Sequence, residues 1–314
     1  GQSLQYVLQH QLSHQKTSDL VDSTPTHEQM AAFAATHEFI FLDRDHLDLS
    51  PRETLSQDIE GLIDEYRPKA FIHAAAYTQV DAAESDEQTA FQINEKATAL
   101  LAQACAQRNI LFIYLSTDFV FGGKNPHQKP FLPADPIAPE GVYARSKAAG
   151  EKAVQCAAGP HYIVRTSWLF SPFGHNFVKT MLRLAQERDA LSVVDDQIGA
   201  PTPAALLAQV PLDILRQLQE REDPRWGLYH LCPTEHTSWH GYACYLIRQA
   251  REMGWSIRVT DDAIKAVDSS EFPVKATRPH NSRLCTQNVP KAFGLTLPAW
   301  QSGVDQVLAQ LDKQ

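Results

Sequence analysis

Four short apolar runs, set apart by helix-length stretches, limit this chain to few architectures. They lie at 39–42, 70–76, 110–115 and 162–165. The third is uninterrupted from Ile110 to Leu115, as expected of a strand covered on both faces. Between them, 51–66, 86–108 and 143–156 predict helices, and 1–14 predicts another with Leu4, Val7, Leu8 and Leu12 on one face. Residues 15–30 are polar and turn-rich, and GGKNPHQKPFLPADPIAPEG, dense in Pro and Gly, predicts loop. Strands alternating with helices at intervals of about 30 residues or more indicate βαβ units, an α/β chain with a doubly wound parallel sheet. Such sheets bind ligands beyond the carboxyl ends of their strands. Three of those ends carry polar or small residues: Asp43-Arg44, Ala76-Tyr77-Thr78 and Ser116-Thr117-Asp118. They are expected to converge on one crevice.

After Thr166 the segments become short and mixed, with many Pro, Trp and His residues. We expect a ligand-binding sheet domain at 1–165 joined by 205–232, and a second, smaller domain at 166–204 and 233–314. A net charge of -9 argues against nucleic acid or an anionic membrane as partner, since such binders show a basic face. A phosphorylated ligand would need a few local basic groups or helix N-termini. No apolar run reaches the roughly 18 residues of a membrane span, and GQSLQYVLQHQ lacks the features of a signal peptide. Five widely spaced cysteines, Cys105, Cys156, Cys232, Cys244 and Cys285, include no CxxC pair. They read as buried reduced thiols in a cytoplasmic protein, with no metal site.

The sharpest chemical signal is Tyr143-Ala-Arg-Ser-Lys147. Tyrosine and lysine four apart share a helix face. A free phenol titrates near 10, and a nearby ammonium is expected to lower it. The pair then suits proton donation to a carbonyl oxygen as a hydride reaches its carbon. The same spacing also occurs on solvated helix faces. Context favours chemistry, because Thr117 ends the preceding strand and its hydroxyl can share charge developing on that oxygen. Helix or turn capping is the other use of Ser116, Thr117 and Asp118. A strand-end hydroxyl followed by a Tyr/Lys helix is the arrangement of short-chain dehydrogenases.

Longer runs make the likeness specific. HAAAYTQVDAAES, LSTDFVFGG, VYARSKAAGEKAV, VRTSWLFSPFGHNFVKTMLRLA, DDQIGAPT, GLYHL, RPHNSRL and LPAWQSGV follow in order over some three quarters of the chain. In these the chain resembles the dTDP-4-dehydrorhamnose reductase family of extended short-chain reductases. The resemblance implies a Rossmann-like fold and reduction of the C4 ketone of dTDP-4-dehydro-L-rhamnose by NADPH or NADH. The product, dTDP-L-rhamnose, is a cell-surface polysaccharide precursor. It implies Tyr143 as proton donor, Lys147 as the group that positions the nicotinamide ribose and tunes Tyr143, and Thr117 as the hydroxyl beside the ketone. Asp118, Trp168 and Arg278 match the substrate side, Arg278 in a basic turn suited to a diphosphate. Asp43, Asp48, Leu49, Ala75, Ala76, Tyr77, Thr78 and Leu115 match cofactor contacts, as do Tyr143 and Lys147. Arg44 offers a partner for a 2′-phosphate, so both nicotinamide cofactors stay open.

The departures lie at the start. The family's first strand and the first two glycines of its phosphate turn are absent from the 314 residues, leaving Gly1 where the third would stand. We therefore expect the sequence to begin inside a longer chain. Ser3, Ala205 and Gln310 replace carboxylates through which some relatives share magnesium, so a monomer or weak homodimer is expected rather than a metal-bridged one. Two other readings remain at this point. One is a regulatory module on the same scaffold, like the beta subunit of methionine adenosyltransferase. The other is a reductase or epimerase of another nucleotide sugar.

Overall fold

Alternate residues of the long apolar run face opposite ways, and each face finds its own cover. The computed structural model describes residues 33, 35–122, 129–218, 225–272 and 274–313. In it, β1 (Ala70–His73), β2 (Leu111–Thr117) and β3 (His161–Thr166) form a parallel sheet in that order. Short strands β4 (Leu169–Phe170), β5 (Leu191–Val194), β6 (Ile198–Gly199) and β7 (Thr202–Pro203) follow, and β8 (Gly227–His230) returns to pair with β3. The last strands are β9 (Thr237–Ser238) and β10 (Ile264–Val267), which pair with β6 and β5.

The helices are α1 (Leu55–Tyr66), α2 (Val80–Ala83), α3 (Glu87–Phe91), α4 (Thr98–Gln107), α5 (Gly141–Ala157), α6 (Phe177–Glu187), α7 (Ala204–Leu218), α8 (Trp239–Glu252), α9 (Asn288–Phe293) and α10 (Trp300–Leu311). Phe112 and Tyr114 of β2 face α1, α4 and α5 through Leu55, Ile59, Leu101, Cys105 and Val154. Leu111 and Ile113 face α7 and α9 through Leu206, Val210, Ile214 and Phe293. Each such side chain, fully buried, contributes about 1.5–3 kcal/mol. A second core joins α6, α8 and α10 through Val178, Leu182, Tyr242, Leu246 and Val304.

Residues 39–42 form no strand, contrary to the sequence reading. A strand needs a ladder, and no described residue pairs with the free edge of β1, so the run has no neighbour to join. Phe39 and Phe41 instead pack with Phe33 against Leu212 and Leu215 of α7. The helix expected at 86–108 is interrupted by a wide π segment at Gln92–Ala97. The expected helix at 1–14, most of the loop that follows it and Gly1 lie outside the described residues. All five thiols are free, but only Cys105 and Cys232 are buried, and Cys156 is exposed. No described helix is long and apolar enough to cross a membrane.

Candidate active site

Because β1, β2, β3 and β8 run parallel, their carboxyl ends open on one edge. The register sets Thr117 beside Thr166, Ser116 beside Arg165, and Arg165 beside His230. α5 crosses this edge at very close range. A Cβ added to Gly150 would fall 2.2 Å from the Asn94 carbonyl oxygen and 2.3 Å from the Tyr114 hydroxyl. The start of α5 is held from elsewhere, since Glu84 Oε1 accepts the Val142 N–H at 2.7 Å. That acceptor satisfies one of the unpaired first-turn donors just before Tyr143.

Tyr143 is partly buried, with its ring edge-on to Phe119 at 5.5 Å and packed, like Tyr77, against the cluster of Ala83, Ala90 and Val142. Burial pushes its phenol up to about 12, while hydrogen bonding with the Thr117 side chain pulls the other way. This corrects the expected lowering by Lys147. The Lys147 ammonium is turned to the Leu115 carbonyl at 2.8 Å and lies 4.0 Å above the Tyr114 ring. Burial brings Lys147 down to about 7, with the charge of Glu151 opposing that shift. Tyr143 is thus held protonated at neutral pH, while burial disfavours the charged form of Lys147.

Thr117 Oγ1 donates to Asp118 Oδ1 at 3.2 Å and accepts from the Phe119 N–H. Asp118 is buried. Desolvation raises its carboxyl to about 6, with Ser282 and Thr117 opposing, and its Oδ2 lacks a well-formed hydrogen bond. Because the folded value exceeds the free 3.8, Asp118 favours the fold most below pH 3.8. That contribution is lost as pH rises through about 6. Asp118→Asn is therefore expected to match the parent in stability near pH 3.8 and to exceed it by up to about 3 kcal/mol at pH 7.5. Urea unfolding at both pH values checks this; equal stability at pH 7.5 contradicts it.

The other expected residues fall into three groups. Ala75, Ala76, Tyr77 and Thr78 follow β1 at the same edge, with Ala75 and Thr78 exposed. Asp43 and Arg44 are exposed; Asp43 holds His46 at 2.6 Å, and Arg44 pairs with Asp48 at 3.3 Å. The His46 hydrogen bond keeps the Asp43 carboxyl below its usual range. Leu49 is buried with Leu47 against α1. Trp168, beyond β3, adopts φ 46, a costly value for a bulky side chain. Its ring stacks on Trp239 at 3.8 Å, and Gly199 leaves the space it fills. Arg278 is engaged: its guanidinium bonds Asp81 of α2 at 2.6 Å and the Ala276 carbonyl at 2.9 Å.

Sequence reasoning missed three groups that build this edge. Asn94, in the π segment, grips Tyr77 through both backbone atoms at 2.8 and 3.1 Å and donates to Ser146 at 2.9 Å. Glu151 and Arg165 form a buried bidentate pair at 2.6 and 2.8 Å. His73 is buried between aromatic rings and bonded to Thr98, and burial keeps it neutral with a value of about 3. A glutamate one turn beyond Lys147 and a charged residue inside an apolar strand were the available signals.

A nicotinamide cofactor fits this edge. Only methyl groups cover the backbone at Ala74–Ala76, allowing close approach. Lys147 has one acceptor among three N–H donors, so its remaining donors suit a ribose diol.

Known proteins give the same picture. The family model described as RmlD substrate binding domain matches residues 26–313. The dTDP-4-dehydrorhamnose reductase of Escherichia coli K12 is 40% identical over 264 residues, covering 84% of this chain and 85% of its own. That of Burkholderia thailandensis is 36% identical over 290 residues, covering 91% and 95%. The crystal structure of the Bacillus anthracis reductase in complex with NADP superposes with a TM-score of 0.76 at 31% identity, covering 90% of this chain and 95% of that one. A family with this fold, this coverage and these motifs includes the present sequence: the chain belongs to the dTDP-4-dehydrorhamnose reductases.

Proposed function

We propose that this chain reduces the C4 ketone of dTDP-4-dehydro-L-rhamnose with NADPH or NADH, giving dTDP-L-rhamnose. The observation that carries the reading is the meeting of Tyr143, Lys147 and Thr117 at the carboxyl end of β2. A reduced nicotinamide, when bound, supplies the hydride that forms the new C4–H bond. Tyr143 gives its proton to the former carbonyl oxygen. Its raised value suits this step, since it is wholly protonated in the ground state and an alkoxide is a stronger base than a phenolate. Thr117 turns its hydroxyl from Asp118 toward the same oxygen and shares the developing charge. Lys147 holds the ribose and, when protonated, favours the phenolate left behind. Asp43, Arg44, Asp48 and Leu49 face the adenosine half, and Ala75 to Thr78 with Leu115 the nicotinamide half.

We assign residues 1–165 with 205–232 to the dinucleotide-binding domain, and 166–204 with 233–314 to the substrate domain. Trp168 and Asp118 line the sugar, and Arg278 meets the diphosphate by leaving Asp81. Arg278→Gln is expected to raise KM for the sugar nucleotide roughly ten- to hundredfold, the worth of a charge-assisted hydrogen bond, with the nicotinamide Kd unchanged. An unchanged KM would assign Arg278 to the Asp81 pair alone. The function itself is tested by following loss of nicotinamide absorbance on adding dTDP-4-dehydro-L-rhamnose. Cofactor binding without turnover of this or any related dTDP-sugar would contradict it and point to a regulatory module.

A further inference from the structure

Tyr143, Lys147 and Glu151 occupy successive turns of α5, and each meets the end of β2 at a different rung. Tyr143 meets the Thr117 side chain, Lys147 the Leu115 carbonyl, and Glu151 the Ser116 hydroxyl. Ser116 thus lies between the lysine's acceptor and the proposed catalytic hydroxyl. Its Oγ donates to Glu151 Oε1 at 2.6 Å. Arg165, the register partner of Ser116 on β3, closes the network with two bonds to the same carboxylate. Both charged side chains are only 4% exposed. A buried pair of this kind adds little stability over apolar packing, so stability alone does not account for it.

We propose that Glu151 is a positioning residue for the reduction: fastened to Ser116 and Arg165, it fixes the register of α5 on β2, and so places the Lys147 ammonium and the Tyr143 phenol relative to Thr117. This rests on the function proposed above. Glu151 also keeps an anion one turn from Lys147, opposing the burial that disfavours the ammonium. The other groups facing that amine are His73 from β1 and Tyr114 from β2, while Arg165 of β3 is bound to Glu151. His73 is neutral and Tyr114 un-ionised, so Glu151 is the negative charge that favours the protonated amine.

The test uses the full chain with two substitutions. Ser116→Ala leaves the Glu151–Arg165 pair whole and removes only the tie to β2. It is expected to lower kcat roughly ten- to hundredfold, with KM for the sugar nucleotide within about twofold and the melting temperature lower by several degrees, the worth of one buried charge-assisted hydrogen bond. Ser116→Thr, which keeps the hydroxyl, is expected to restore kcat. A Ser116→Ala enzyme with parental kcat per folded molecule overturns the proposal. A second readout needs no turnover and so separates this inference from the reaction assignment. Carbon-13 labelling of lysine side chains, with the Lys147 signal identified by Lys147→Arg, gives that amine's titration. Glu151→Gln should shift it to lower pH; an unshifted titration overturns the proposal even if the parent reduces no sugar.

Discussion

Tyr143→Phe is expected to fold normally and bind the nicotinamide cofactor normally, yet to lose about 10²- to 10⁴-fold in kcat. The substitution removes one hydroxyl from a partly buried ring and leaves the edge-on contact with Phe119 in place. No packing is lost, and the desolvated oxygen disappears with its raised pKa. Only the proton is missing. Without it, the oxygen gaining charge at C4 must be satisfied by Thr117 alone. Initial rates at saturating sugar nucleotide, with a cofactor titration as control, check this. A variant that keeps near-parental kcat would show that another group delivers the proton.

The largest expected effect on stability is at Arg165. Arg165→Met strips Glu151 of its counter-charge while the carboxylate stays buried with one hydroxyl donor. The cost of such an uncompensated charge is about 3–5 kcal/mol, read as a lower urea midpoint. Adding Glu151→Met removes the orphaned charge, and the double variant is expected to regain most of that loss. Its kcat should nonetheless stay low, because the tie to Ser116 is gone. Recovery of stability and rate together would mean that the network serves only the fold.

The parallel sheet and the site edge were legible because the signals were local. An unbroken apolar run such as 110–115, bounded by helix-length stretches, reads as a covered strand, and small or hydroxylated residues at strand ends mark a ligand edge. The run at 39–42 looked the same, but a strand depends on its neighbour, and Phe39 and Phe41 found α7 instead. The Tyr143/Lys147 pair was visible from its spacing, whereas its electrostatics were not. Spacing placed the two side chains on one face, but the acceptor that takes the Lys147 ammonium is a backbone carbonyl, which no side-chain pattern reveals. Glu151, Arg165 and Asn94 act through partners 14 to 52 residues away, and such pairings appear only once the chain is folded.

Everything turns on one ketone receiving a hydride at carbon and a proton at oxygen in this crevice. Turnover of dTDP-4-dehydro-L-rhamnose with nicotinamide deuterated at its transferring position, followed by proton NMR of the product, tests that directly. The account predicts deuterium at C4 of the rhamnose ring and at no other ring carbon. Product with hydrogen at C4, or label at another carbon, would contradict it.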